Sequence, residues 1–89
     1  MTKAEDAWLE LVASLPCATC GIMPVEVHHT REGQGGAQRD SHFLTIPLCP
    51  DCHRGPLGVH GDKTMMRILK KTELDLLAET IEKVFSAIR

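Results

Sequence analysis

The stretch that decides the fold runs from Cys17 to His60 and reads CATC at 17–20, VEVHHTR at 25–31 and TIPLCPDCHRGPLGVH at 45–60. It holds all four cysteines and all five histidines of the 89-residue chain. Side chains of these two types are the usual protein ligands of zinc and related transition metals. Metal-binding capacity is therefore concentrated in the middle of the protein.

The cysteines form two C-x-x-C pairs, Cys17/Cys20 and Cys49/Cys52, with 28 residues between the pairs. Two such knuckles supply the four thiolates of a closed, tetrahedral structural zinc site. The alternative is a pair of disulfides or a redox-active C-x-x-C, but no secretory signal precedes the cysteines, and a reducing compartment favours thiolate ligation. We therefore predict structural Zn²⁺, with an inserted element between the two knuckles.

The inserted element begins with residues 25–29, where apolar and polar residues alternate as in a β-strand. Neighbouring strand residues point to opposite faces, so His28 and His29 are expected to have different roles. One of them can hold a metal while the other faces a substrate water. A second strand at 43–48 is predicted to pair back on the first, which gives a hairpin over 25–48.

The second knuckle continues into a predicted short helix over 49–54, since proline is tolerated at the first helical position. This helix carries His53 toward the hairpin. Glycine and proline residues at 55, 56 and 58 end it, and His60 follows on a turn.

Hairpin, double histidine and the C-P-D-C-H segment together resemble the ββα-metal finger of HNH endonucleases, in the subset clasped by a four-cysteine zinc. The resemblance implies that His28 and His53 bind a catalytic divalent ion and that His29 is the general base. Some HNH enzymes have a further histidine one helical turn along; here the candidate is His60, seven residues after His53.

The middle asparagine of the HNH motif would fall on Leu44, which has no amide. The task of orienting His29 is then left to His42, to Thr45 or to a backbone carbonyl. This departure favours an alternative in which the chain is a non-catalytic, zinc-stabilised module that binds DNA or protein.

A broader resemblance is carried by HHTREGQGGAQRDSHFLTIPLCPDCHRGPLGVHG at 28–61 and TELDLLAETI at 72–81. These segments resemble the phage recombination-enhancement, RecA-dependent nuclease (Ref-like) family. The resemblance implies a phage- or prophage-encoded DNA endonuclease that acts on single-stranded DNA or a recombination intermediate, with a RecA filament as a candidate partner. The long basic N-terminal segment of the best-known type has no counterpart in these 89 residues, which leaves RecA dependence open.

The identity of the catalytic ion stays open between Mg²⁺, Mn²⁺ and Zn²⁺. A site of three imidazoles suits Zn²⁺, Ni²⁺, Mn²⁺ or Co²⁺ better than it suits Mg²⁺, which prefers oxygen ligands. HNH enzymes, however, commonly use Mg²⁺ or Mn²⁺. In either case a neutral imidazole at His29 can take a proton from water near pH 7.

Charge is unevenly distributed in a chain whose formal net charge is −2. Residues 26–71 hold seven Lys/Arg and five Asp/Glu, whereas both flanks are acidic. Phosphate contacts are expected from Arg31 and Arg39 in the polar loop between the strands, and from Arg54 and Lys63. Binding to DNA should be modest and dependent on salt, and the oligomeric state is not assigned.

The flanks read as helices around a single domain, 1–89. A helix over 4–15 carries an apolar stripe that includes Trp8 and ends at Pro16. Two C-terminal helices are predicted within 63–88, the first capped by Asp62 and the second opened by a Thr72/Asp75 capping box. The last helix is expected to pack through Leu74, Leu77, Ala78, Ile81, Val84, Phe85 and Ile88.

The predicted fold is thus a small α+β domain: a ββα-metal finger clasped by a four-cysteine zinc and flanked by helices. A chain this short has a marginal hydrophobic core, so a structural metal is a natural reinforcement. No apolar run reaches the length of a membrane span. We expect a cytoplasmic protein that acts in the bacterial host.

Overall fold

The computed structural model describes residues 1–30, 41–61 and 63–88. In the described residues, four helices surround one two-stranded sheet, which confirms a small, compact α+β architecture. The elements are, in chain order, α1 (Lys3–Ala13), β1 (Glu26–His29), β2 (Thr45–Leu48), α2 (Pro50–Arg54), α3 (Thr64–Leu69) and α4 (Glu73–Ala87). Each differs from its predicted bounds by only a few residues at its ends.

The sheet is an antiparallel pair in which His28 lies opposite Ile46 and His29 lies opposite Thr45. All four residues of β2 are buried, because α1 and α4 both pack on this strand. Strand β1 is less covered: His28 is buried, whereas Glu26, Val27 and His29 are half-buried. The buried strand is thus the centre of the fold, and the two adjacent histidines lie on its neighbour.

The hydrophobic core and the cysteines form one packed unit. Ile46, Leu48 and Leu76 are almost fully buried, and they pack in one cluster with Cys17, Cys49 and Cys52. Because the apolar cluster is small, the sulfur atoms make up a sizeable share of it. A metal bound by these sulfurs would reinforce the core itself.

Helix α1 begins with a capping box that reading the sequence did not predict. The Thr2 hydroxyl accepts from the Glu5 backbone N–H (3.1 Å), and the Glu5 carboxylate accepts from the Thr2 N–H (2.7 Å). Farther along the helix, Trp8 was expected in the core. It is half-buried, and its indole Nε1–H donates to Thr45 Oγ1 (2.8 Å).

Helix α4 opens with the predicted capping box between Thr72 and Asp75. Its buried face, however, differs from the predicted apolar stripe. Glu73, Leu76, Leu77, Thr80 and Val84 face the core, whereas Leu74, Ala78, Ile81, Phe85 and Ile88 are exposed. Polar residues turn inward because they find partners there: Glu73 contacts His28, and the Thr80 hydroxyl donates to the Leu76 carbonyl (2.8 Å).

Helix α3 is bounded by two lysines with left-handed backbone conformations, Lys63 (φ 61°) and Lys70 (φ 56°). A residue with a Cβ atom pays about 1 kcal/mol or more for this conformation, which glycine adopts at no such cost. The helix cap at its N-terminus is Lys63, without a side-chain hydrogen bond. The predicted cap, Asp62, lies outside the described residues.

Among the helices of the described segments, none combines the length and the apolar character that crossing a membrane would require.

Candidate metal centres

The four cysteines lie close enough together to bind one metal ion. Their Sγ atoms are all within 4.8 Å of one another, and Cys20 Sγ lies 3.5 Å from Cys49 Sγ. A tetrahedral zinc with Zn–S bonds of about 2.3 Å places its sulfurs about 3.8 Å apart. All four thiols are free of disulfides. The donor set and its spacing therefore fit structural zinc, as predicted.

Each knuckle is shaped by local backbone hydrogen bonds. In the first, the Gly21 N–H donates to the Cys17 carbonyl (2.9 Å), and Gly21 has a positive φ of 79° that glycine adopts readily. In the second, Cys49 is the N-cap of α2 and Pro50 follows at the first helical position. The Ala18 N–H donates to the Pro47 carbonyl (2.8 Å), which ties the first knuckle to β2.

Three of the four thiols have pKa values shifted from the usual one. Burial acts to raise the pKa of Cys17, but hydrogen bonds from the Thr19 hydroxyl and from nearby backbone N–H groups outweigh it and lower this pKa to about 6. Burial raises the pKa of Cys52 to about 12 and also raises that of Cys20. Cys17 therefore forms a thiolate readily, whereas Cys20 and Cys52 need a bound cation to do so.

A second cluster consists of His28, His53 and His60, one nitrogen of each lying within 4.8 Å of the others. Their ring centroids are 4.7–5.0 Å apart, and the Nε2 atoms of His53 and His60 are separated by 3.1 Å. His28 is buried, His53 is half-buried and His60 is exposed. The cluster therefore has a closed side on the hairpin and an open side toward solvent.

His60 reaches the cluster because the chain folds back on α2 after its end. The Val59 N–H donates to the Cys52 carbonyl (2.9 Å), and the His60 N–H donates to the His53 carbonyl (3.1 Å). Gly58 makes this possible, since a Cβ atom there would lie 2.5 Å from the Cys52 oxygen. The glycine and proline residues that end α2 thus shape the turn that returns His60 to His53.

His53 is oriented by a carboxylate on the hairpin. Its Nδ1–H donates to Glu26 Oε1 (2.8 Å), which turns Nε2 toward His60. Arg54 donates to the same carboxylate through Nε (2.9 Å) and Nη2 (2.5 Å). The bonds from His53 and then Arg54 hold the pKa of Glu26 below its usual value. Carboxylates commonly bind the second nitrogen of metal-ligating histidines in this way.

His28 is held by Glu73, the first residue of α4, through a hydrogen bond from Nε2–H to the carboxylate. Both side chains are buried. In the sequence, Glu73 lies only at the start of a predicted helix, because His28, its partner, is 45 positions earlier in the chain. Glu73 and Glu26 are the two carboxylates beside the histidine cluster that sequence reasoning did not single out.

His29 belongs to a different pair. Its Nε2 atom lies 2.9 Å from His42 Nδ1, with the rings 5.1 Å apart. The Thr45 hydroxyl donates to the His42 carbonyl (2.9 Å) and accepts from Trp8. Of the three candidates for orienting His29, the side chain of His42 contacts it directly. Thr45 in turn hydrogen-bonds to the backbone of His42. The Leu44 carbonyl instead accepts from the Thr30 N–H (2.9 Å).

The residues predicted to contact phosphate are placed unequally. Arg31 and Arg39 lie outside the described residues. Arg54 is exposed, but its charge is paired with Glu26. Lys63 lines a groove with three other basic residues at α3.

The chain was compared with known protein families, curated proteins and solved structures. The model of a family described as "Protein of unknown function (DUF968)" matches residues 1–87. No curated protein and no solved structure matches the chain.

Proposed function

We propose that this chain, which belongs to the DUF968 family of proteins of unknown function, is a metal-dependent DNA endonuclease with an HNH-type site. On its resemblance to the Ref-like nucleases, we further propose that the protein acts in phage or prophage recombination. One observation carries it. Two adjacent histidines of β1 are divided between a three-imidazole cluster and a separate pair, His29 with His42.

The donor chemistry of the cluster supports a divalent ion. His28, His53 and His60 present imidazole nitrogens as ligands, and Glu26 and Glu73 accept hydrogen bonds from two of the rings. Mn²⁺, Zn²⁺ and Mg²⁺ remain the candidates, with imidazole favouring the first two. When bound, such an ion supplies positive charge for the phosphate and for the departing 3′ oxygen.

Within this proposal, His29 takes a proton from water on a ring nitrogen and acts as the general base. The contact with His42 restricts the rotation of the His29 ring and selects its tautomer. In this proposal the contact orients His29, which is the role of the middle asparagine in the HNH motif, because Leu44 has no amide. The cysteine site holds the second knuckle and α2 in place, and therefore holds His53 against β1.

The experiment that tests the proposal compares wild type with His29→Ala. Plasmid and single-stranded DNA are incubated with each protein and Mg²⁺, Mn²⁺, Co²⁺, Ni²⁺ or Zn²⁺, with and without RecA filaments. Wild type is expected to nick DNA, and His29→Ala to lose the 10²–10⁴-fold contribution typical of a general base. Zinc content and thermal stability of the variant should match wild type.

The alternative, a zinc-stabilised binding module without catalysis, is favoured by the missing amide at Leu44. It predicts that wild type leaves DNA intact with every ion and with RecA. Equal nicking by wild type and His29→Ala would instead contradict the role given to His29.

A further inference from the structure

A groove of about 330 Å³ lies between α3 and the start of α4, and four basic residues line it. We refer to the surface formed by Lys63, Arg67, Lys70 and Lys71 as the basic groove. These are four of the ten Lys/Arg residues in a chain whose formal net charge is −2. So much positive charge on one concave surface favours a polyanionic ligand.

Among the described residues, two carboxylates contact or line the basic groove, those of Glu79 and Glu73. Lys71 is paired with Glu79 (Nζ to Oε2, 2.6 Å). Glu73 also lines the groove, but its carboxylate is buried against His28. Arg67 donates from Nη2 to the Thr64 hydroxyl (3.2 Å). Lys63 and Lys70 form none of the salt bridges between described residues, so their two positive charges remain available to a ligand.

Two of its lysines occupy positions where glycine would fit the backbone better. Lys63 and Lys70 both have positive φ, at the two ends of α3. Glycine is the usual residue in this conformation at the end of a helix. The fold does not require a lysine side chain at either position, so a role for the two ammonium groups in binding is a natural explanation.

The basic groove is also next to the histidine cluster. Glu73 is one of the residues that line it, and the carboxylate of Glu73 binds His28. A chain of phosphates lying along the groove would therefore approach the three imidazoles.

We propose that the basic groove binds the phosphodiester backbone of DNA and guides one strand to the histidine cluster. The choice of DNA as the polyanion rests on the proposed nuclease function. Contacts of this kind are electrostatic and independent of base sequence.

The test is a double variant, Lys63→Gly with Lys70→Gly, which removes two charges and relieves the backbone at the same positions. Binding to fluorescent single-stranded and duplex oligonucleotides is measured by anisotropy over a range of salt concentrations, without added divalent ion. The matched control, Lys3→Gln with Lys83→Gln, removes two exposed charges that do not line the groove.

The double glycine variant should bind oligonucleotides of different sequence more weakly by a similar factor. The slope of log K against log salt should become shallower by about 1 for each lost phosphate contact, hence by about 2. Its thermal midpoint should equal or exceed that of wild type, so weaker binding cannot be attributed to unfolding. The control should keep the wild-type slope.

Binding by the double glycine variant that equals wild type or the control would overturn the proposal, as would absence of DNA binding by wild type. The outcome is independent of the nuclease assay. If wild type cleaves DNA and the groove variant binds normally, only the groove assignment fails. If the variant loses binding but wild type cleaves nothing, the groove stands and the nuclease proposal fails.

Discussion

Glu73 on α4 and His28 on β1 form a buried hydrogen-bonded pair between residues 45 positions apart. The carboxylate accepts the Nε2–H of the ring, which leaves Nδ1 as the nitrogen for an ion. It also adds a negative charge next to a site that would hold a cation. The C-terminal helix is thereby connected to the histidine cluster, and this connection can be tested through metal affinity.

Replacing Glu73 by leucine should weaken metal binding at the histidine cluster 10- to 100-fold, the usual effect of losing a carboxylate behind a metal-bound histidine. Glu73→Gln should fall between leucine and wild type, because its amide oxygen can still accept from Nε2–H. Calorimetric titration with Co²⁺ measures this, after the cysteine site has been filled with zinc. The matched control is Glu79→Gln, which breaks a surface ion pair on the same helix. Wild-type affinity in Glu73→Leu would show that the pair is structural only.

Removing the metal from the cysteine site should unfold the domain. A structural zinc contributes about 10 kcal/mol or more to folding, which is comparable to the entire stability of a typical domain. Cys49→Ala, or a strong chelator, should abolish the cooperative thermal transition seen by circular dichroism. Added zinc should restore it after chelation but not in the variant. The control variant Ile22→Ala, an exposed change beside the first knuckle, should keep the cooperative transition. A cooperative transition in Cys49→Ala would contradict the structural role of zinc.

Gly58→Ala should disturb the histidine cluster from a position that carries no ligand. The added Cβ would lie 2.5 Å from the Cys52 carbonyl oxygen and 2.7 Å from that of Asp51, so the turn has to move. We expect a loss of about 1–3 kcal/mol in the free energy of unfolding, as for overpacked sites, together with weaker Co²⁺ binding because His60 is displaced. Urea denaturation and the same titration measure the two effects. Leu57→Ala, an exposed change in the same turn, serves as control; equal behaviour of the two variants would remove the steric explanation.

His42→Ala tests how His29 is positioned, and it rests on the proposed nuclease function. Loss of the Nδ1 contact removes one restraint on the His29 ring, so DNA nicking should slow by less than the 10²–10⁴-fold expected for loss of the base itself. Metal content should not change, because His42 belongs to neither cluster. His42→Asn, whose amide can also contact the ring, should recover part of the activity. Full activity in His42→Ala would assign the orientation of His29 to another group.

Local pattern predicted much of the architecture. The alternation at 25–29, the two C-x-x-C pairs and the Thr72/Asp75 box depend on periodicity, ligand spacing and capping, which act over a few residues. These features predicted the hairpin, the cysteine cluster and the start of α4 close to where they lie. The apolar stripe of α4 was predicted less well, since apolarity alone does not show that Glu73 and Thr80 have buried partners.

The sequence by itself determined the donors: four sulfurs in two knuckles and neighbouring imidazoles that must face opposite sides of a strand. Only the tertiary structure decided how they are supported. Glu73 meets His28, His60 returns to His53 and His42 reaches His29 because the chain folds back over distances of 7 to 45 residues. Such contacts depend on how helices pack and where a turn can close, and neither periodicity nor motif spacing encodes them.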